Sequence, residues 1–101
     1  SLAFADQQQM IEFTREAISL PSNEQGRKIE LYTKAIEAYP SFYLPYTNRA
    51  VCYLNYGKWS LAIADANKAV ELAPENPHPW GVRGRAYAGN RQFDQAYKDL
   101  S

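Results

Sequence analysis

The sequence has little of what secreted and membrane-bound proteins require. It contains a single cysteine, Cys52, and no Asn-X-Ser/Thr sequon, so it can form no internal disulfide and shows no sign of the secretory pathway. No apolar run approaches the roughly 20 residues that span a bilayer, and no cationic segment followed by an apolar stretch opens the chain. We therefore expect an intracellular, cytoplasmic protein with no membrane partner.

Net charge is also lacking. The 11 basic residues are balanced by 11 acidic ones, so composition gives no attraction to nucleic acid, and we expect no nucleic-acid partner. Hydrophobic residues make up 46% of the 101 residues and charged residues 22%, an ordinary globular balance. A chain of this length has room for one domain around one continuous core.

Residues that carry catalysis or bind metals are isolated from one another. His78 is the only histidine and lies between two prolines, without the further ligands that a metal needs. Cys52 has no neighbouring base in the sequence and is of the kind that packs as a small apolar residue. Gly81, Gly84 and Gly89 match no phosphate-binding spacing. We expect no enzyme, no cofactor and no metal.

Self-similarity is the strongest signal in the chain. A shift of 34 residues aligns residues of the same type over most of its length, the mark of a repeat architecture. The shift pairs Tyr46 with Trp80, Arg49 with Arg83, Tyr53 with Tyr87, Trp59 with Phe93, Ala62 with Ala96, Asp65 with Asp99, Ala35 with Ala69, and Pro40 with Pro74.

Each period divides into two amphipathic helices. Apolar side chains recur every three or four residues from about 42 to 56, and again from about 59 to 73. Gly57 ends the first helix and Pro74 follows the second. Upstream, a helix over about 3–20 carries a stripe of Met10, Phe13 and Ala17, and residues 21–26 are predicted to form a lengthened turn.

This pattern resembles the tetratricopeptide repeat family, whose unit is a 34-residue helix-turn-helix. The family's aromatic, small, Gly and Pro positions appear in the central unit as Tyr46, Ala50, Tyr53, Gly57, Trp59, Ala62, Ala69 and Pro74. The resemblance implies an all-α fold, a right-handed solenoid of antiparallel helical hairpins with about five to six helices. The chain begins without Met and stops within a helical pattern, so we expect a piece of a longer protein.

We therefore interpret residues 1–101 as a single domain fragment of this family. It divides into a divergent unit over about 3–42, a unit over 43–76 and a truncated unit over 77–101.

In the family, the first helix of each hairpin lines a concave side that receives a peptide or helix of a partner protein. The resemblance implies groove residues Leu44, Thr47, Asn48, Val51 and Asn55 in the central unit, His78, Val82 and Arg85 in the third, and Ile11 and Arg15 in the first.

One branch of the family, found in co-chaperones, holds the C-terminal carboxylates of heat-shock chaperones with Lys, Arg and Asn. Residues 46–50 resemble the central helix of that clamp, with Asn48 at its amide position. However, His78 and Val82 stand where the branch has Lys and Arg, the Lys-x-x-Gly-Asn pattern of the first helix is missing, and Arg85 substitutes only in part. The resemblance thus implies a groove with mixed apolar and polar contacts, and a chaperone-tail clamp as an alternative.

A structural role is the other alternative. The third unit should expose apolar surface from Tyr87, Phe93 and Tyr97, which would stack on a further hairpin or on a second copy of the chain. Protein or peptide binding in the groove, possible self-association through this third unit, and no enzymatic activity are the expectations that the sequence supports.

Overall fold

The computed structural model describes the backbone of residues 2–101 and the side chains of residues 5–101. This part of the chain consists of six α-helices joined by short turns, so the predicted all-α fold of helical hairpins is confirmed. The helices are α1 (Leu2–Ser19), α2 (Gln25–Ala38), α3 (Tyr43–Asn55), α4 (Trp59–Leu72), α5 (Pro77–Gly89) and α6 (Phe93–Leu100).

The helices pair in chain order as three hairpins, α1 with α2, α3 with α4, and α5 with α6. Neighbouring hairpins stack because α2 packs against α3 and α4 packs against α5, while α3 also contacts α5. The described array measures 44 × 30 × 17 Å. A hairpin cannot bury its apolar face alone, so this stacking is what supplies a continuous core.

The turn between α1 and α2 is shorter than the sequence predicted. α2 begins at Gln25, so both Gln25 and Gly26 belong to the helix rather than to the turn. The side chain of Gln25 donates a hydrogen bond of 2.7 Å to the carbonyl oxygen of Ser22, and the amide of Lys28 donates one of 3.0 Å to the carbonyl oxygen of Glu24. Together these bonds start the helix two residues early.

Small residues set the distance between the helices. Ala50, Ala62, Ala66 and Ala86 have no exposed surface in the main core cluster, and a methyl side chain lets two helix backbones come close. Gly89 continues this pattern at the next junction, because a Cβ atom there would lie 2.5 Å from the ring of Trp59. A second core cluster joins α1, α2 and α3 through Ala17, Leu31, Tyr32 and Cys52.

Two aromatic side chains tie the start of one hairpin to the end of the previous one. The hydroxyl of Tyr46 donates a hydrogen bond of 2.8 Å to the carbonyl oxygen of Pro40. In the next unit, Trp80 Nε1 donates one of 2.9 Å to the carbonyl oxygen of Pro74. Both bonds satisfy a carbonyl oxygen in the turn that follows a helix, and they give a structural reason for an aromatic residue with a polar tip at this position of the period.

An arginine joins three helices within the array. Arg49 on α3 donates from Nε and Nη2 to the two carboxylate oxygens of Asp65 on α4, at 2.7 and 2.8 Å. Its remaining Nη1 donates to the hydroxyl of Thr33 on α2, at 3.0 Å. The hydrogen bonds to Asp65 raise the pKa of Arg49 above its usual value, and burial opposes this rise. The paired geometry matches the planar fork of the guanidinium to a carboxylate.

The same three-helix arrangement recurs one unit later with Arg83. It donates to Asp99 at 2.7 and 2.8 Å and to Asn67 Oδ1 at 3.0 Å. Both aspartate side chains are nearly buried, at 8% and 6% exposure, so each carboxylate depends on its arginine to offset the loss of water. The 34-residue period of the sequence therefore also repeats an Arg–Asp ion pair whose carboxylate is nearly buried.

The first helices of the second and third hairpins end in the same backbone motif. After α3, Gly57 has φ +69°, and the amide of Lys58 donates to the carbonyl oxygen of Tyr53 at 2.9 Å. After α5, Arg91 takes the left-handed position with φ 63°, and the amide of Gln92 donates to the carbonyl oxygen of Tyr87 at 2.8 Å. This is a Schellman cap, whose left-handed position favours glycine.

We expect Arg91→Gly to stabilise the protein by about 1 kcal/mol, because a left-handed conformation costs a side chain about that much and glycine almost nothing. Urea unfolding followed by far-UV circular dichroism measures the change. Gly57→Ala is the converse substitution, which places a side chain at a left-handed position, and it should destabilise the protein by a similar amount. An unchanged or lower free energy of unfolding in Arg91→Gly would show that the arginine is not strained.

We expect Asp65→Asn to lower the free energy of unfolding by about 2–4 kcal/mol, because the partly buried guanidinium of Arg49 would lose its charged partner. Glu71→Gln is a matched control: Glu71 is 72% exposed and 3.9 Å from Lys68, and an exposed pair contributes at most about 1 kcal/mol. Equal effects of the two substitutions in urea unfolding would contradict a structural role for the buried pair.

Candidate functional site

A groove of about 620 Å³ runs across the faces of α1, α2, α3 and α5. Six of the groove residues predicted from the sequence line it together: Leu44, Asn48, Val51, Asn55, His78 and Arg85. Consecutive first helices place them side by side, because α3 contacts α5 directly. The structure thus brings polar amides, one imidazole, one guanidinium and two aliphatic side chains to one surface.

Four other predicted residues lie elsewhere. Thr47 has no exposed surface, and its hydroxyl donates a hydrogen bond of 3.1 Å to the carbonyl oxygen of Tyr43 within α3. Val82 is 2% exposed and belongs to the main core cluster. Ile11 and Arg15 line a separate depression between α1 and the start of α3, which we name the side pocket.

The groove also contains residues that the sequence analysis missed, notably Lys28 and Tyr32 on α2. A signal for them exists in the period: a shift of 34 places Lys28 opposite Ala62 and Tyr32 opposite Ala66. The first unit thus has two large side chains where the second has small ones. Lys28 Nζ donates a hydrogen bond of 2.8 Å to the carbonyl oxygen of Ala17. This bond holds the ammonium group at the end of α1.

The groove is positively charged. Lys28 and Arg85 line it, and none of the described residues that line it is acidic. Neither cation forms an ion pair with a described side chain, in contrast to Arg49 and Arg83. Two amides complete the polar surface, those of Asn48 and Asn55. Such a surface suits carboxylates, which need cations and amide donors when they leave water.

The buried residues at the base of the groove are unreactive. Burial raises the pKa of Cys52, with the nearby Lys28 opposing the rise. Burial also raises the pKa of Tyr32, an effect that Cys52 strengthens and a hydrogen bond with Asn48 opposes. Cys52 is 3% exposed. A buried, protonated thiol is a poor nucleophile. Cys52 and Tyr32 therefore contribute packing and form part of the groove wall.

Within the described part of the chain, no group of three or more His, Cys, Asp or Glu side chains is placed to hold a metal ion. None of its helices is both long and apolar enough to cross a membrane.

Three stacked hairpins, in which α2 and α4, α3 and α5, and α4 and α6 each begin 34 residues apart, define a helical-repeat protein. Residues 43–76 match the family model of the tetratricopeptide repeat. This segment is a tetratricopeptide repeat, and the chain as a whole has the fold of tetratricopeptide domains, as the sequence predicted.

Among curated proteins, the chain is similar to the rice (Oryza sativa subsp. japonica) protein SGT1 homolog, with 51% identity over 67 residues, which cover 66% of this chain and 18% of that protein. The chain therefore corresponds to less than a fifth of this relative.

Among solved structures, it is similar to the second TPR of Spaghetti (RPAP3) bound to the HSP90 peptide SRMEEVD. The TM-score is 0.89 at 27% identity, over 95% of this chain and 90% of that chain. The second TPR domain of human RPAP3, solved in complex with the HSP70 peptide SGPTIEEVD, has a TM-score of 0.74 at 26% identity, over 98% and 78% of the two chains.

Proposed function

We propose that the chain is a protein-interaction module whose groove binds an acidic peptide segment of a partner protein. The observation that carries this proposal is the composition of the groove, where Lys28, Arg85 and two asparagine amides converge and no described lining residue is acidic. We propose no catalytic role for the module itself. An intracellular setting is part of the proposal, because a free buried cysteine suits a reducing compartment.

The number of contacts points to moderate affinity. A charge-assisted hydrogen bond contributes about 1.5–3 kcal/mol, and the groove offers two unpaired cations, Lys28 and Arg85. With about 1 kcal/mol for the amide of Asn48, these contacts amount to about 4–7 kcal/mol. A micromolar complex requires about 8 kcal/mol, so we expect a dissociation constant between about 10 μM and 1 mM. An interaction of this strength exchanges readily.

Chaperone tails are the candidate ligands of this class. Domains similar to this chain were solved with the HSP90 peptide SRMEEVD and the HSP70 peptide SGPTIEEVD, both of which end in acidic residues. In this chain His78 lines the groove but Val82 is in the core. Arg85 and Lys28 therefore supply the positive charge in our proposal, and SRMEEVD is the first peptide to test.

We expect the double variant Asn48→Ala/Arg85→Ala to bind SRMEEVD at least about tenfold more weakly than the wild type, because it loses one charge-assisted contact and one amide contact. Fluorescence anisotropy with a labelled peptide measures the dissociation constant. Wild-type binding should also weaken between 0.1 and 0.5 M NaCl, because Arg85 is exposed to solvent and salt screens its attraction to the peptide.

The control for this experiment is Gln95→Ala/Lys98→Ala, which removes an amide and a cation from the exposed surface of α6, outside the groove. It should bind the peptide like the wild type. Equal affinity of the groove variant and this control would refute the groove as the binding site. Circular dichroism verifies that all variants keep their helicity.

A second function is favoured by one surface. Phe93, Tyr97 and Leu100 on α6 are 58%, 77% and 56% exposed, an apolar face of the kind that hairpins cover by stacking. If this face joins two copies of the chain, light scattering will show a dimer that Tyr97→Gln converts to a monomer. A wild-type monomer at 100 μM, about a hundredfold above a micromolar dissociation constant, would exclude this second function.

A further inference from the structure

The start of α5 places an ionisable ring on the wall of the groove. His78 lines the groove together with Arg85, and because the two residues are about two helical turns apart, they lie on one face of α5. The same two side chains also line a smaller depression along α5, beside Gly81 and Val82. His78 is exposed, so solvent protons and a bound peptide both reach the imidazole.

Hydrogen bonds hold the backbone of His78 in place. Its amide donates a hydrogen bond of 2.9 Å to Oδ1 of Asn76, which caps the start of α5. Nδ2 of Asn76 donates one of 2.9 Å to the hydroxyl of Tyr43, at the start of α3. These bonds connect the starts of α3 and α5, so the imidazole extends from a fixed point on the groove wall.

The imidazole has an aliphatic counterpart one period earlier. Leu44 stands 34 residues before His78 and also lines the groove. The central unit thus presents a side chain that never carries a charge, where the third unit presents one that does. Imidazole is the side chain that ordinarily changes its charge between about pH 5 and 8.

The other titratable side chains of the groove belong to types that keep their charge over this range. Lys28 on α2 and Arg85 on α5 are of types that ordinarily titrate above about pH 10. Burial raises the pKa of Cys52 on α3 and of Tyr32 on α2, so both stay protonated below about pH 8. No described residue of α4 or α6 lines the groove. A change from pH 8 to pH 6 therefore alters the charge of the groove through His78.

No carboxylate in the described part of the chain pairs with this imidazole. Glu75, the acidic residue nearest to His78 in the sequence, lines a separate depression between α5 and α6. A protonated imidazole therefore adds a third positive charge beside Lys28 and Arg85, whereas a neutral one adds none. A carboxylate that binds nearby favours the charged form, so peptide binding and proton uptake are linked.

We propose that His78 makes the groove pH-sensitive: the groove binds an acidic peptide more tightly when the imidazole is protonated, and binding takes up a proton. This inference rests on the proposed function and concerns the regulation of the same site. The gain in affinity is full at pH values where the imidazole is already protonated in the free groove. It is lost as the pH rises past the titration of the imidazole in the complex.

The affinity for SRMEEVD at pH 6.0, 7.0 and 8.0, at constant ionic strength, tests the proposal. A pH-insensitive rhodamine label on the peptide's N-terminus removes the α-amino group, which would itself titrate in this range, and the peptide carboxylates ordinarily titrate below it. An exposed ion pair corresponds to a factor of up to about five in affinity. We expect the wild type to bind about threefold to fivefold more tightly at pH 6.0 than at pH 8.0 in fluorescence anisotropy.

Two substitutions at the same position fix the charge. His78→Gln keeps a hydrogen-bonding side chain that stays neutral, and its affinity should not change between pH 6.0 and 8.0. His78→Lys stays charged and should bind at pH 8.0 about as tightly as the wild type at pH 6.0. A pH dependence in His78→Gln equal to that of the wild type would overturn the proposal.

The matched control adds Gln95→His to His78→Gln, which returns an imidazole to the chain on the exposed surface of α6, outside the groove. This variant should bind with the same affinity at all three pH values. If it regains the wild-type pH dependence, the effect comes from the net charge of the protein, and the role given to His78 is wrong.

NMR follows the proton directly. His78 is the only histidine, so in protein without a polyhistidine tag its Cε1 proton gives a single signal that can be titrated with and without the peptide. We expect bound peptide to raise the midpoint of this titration by about half a pH unit, the equivalent of a threefold change in affinity. An unmoved midpoint with peptide bound would overturn the pH inference and leave the groove function intact. Absence of SRMEEVD binding at all three pH values would overturn both.

Discussion

The bidentate ion pair between a first-helix arginine and a second-helix aspartate is the interaction on which the rest of the array depends. Arg49 and Arg83 each connect three consecutive helices, so each fixes the rotation of its own helix as well as its distance from the neighbours. A buried carboxylate tolerates little displacement from its partner. Because α3 and α5 are fixed in the same way, both present equivalent faces to one side, and that side is the groove.

Much of this fold follows from the period in the sequence. The spacing of aromatic, small and Pro residues predicts both helices of each unit, and the first helices carry most of the groove. The resemblance places Thr47 and Val82 in the groove, yet they are buried, because the exposure of a helix residue depends on how the neighbouring hairpin covers it. The period does not predict Lys28 as a groove residue, because an alanine stands at its position in the next unit.

The left-handed Arg91 has a consequence for the order in which the structure opens. It lies between α5 and α6, and α6 is the shortest described helix, with eight residues. Strain in the turn and few covered apolar contacts both lower the cost of local opening. We expect α6 to exchange its amide hydrogens first, and each such opening takes Asp99 away from Arg83. The α5 side of the groove would then loosen while Arg49 still joins α3 to α2 and α4, so a bound peptide would be released from its α5 end.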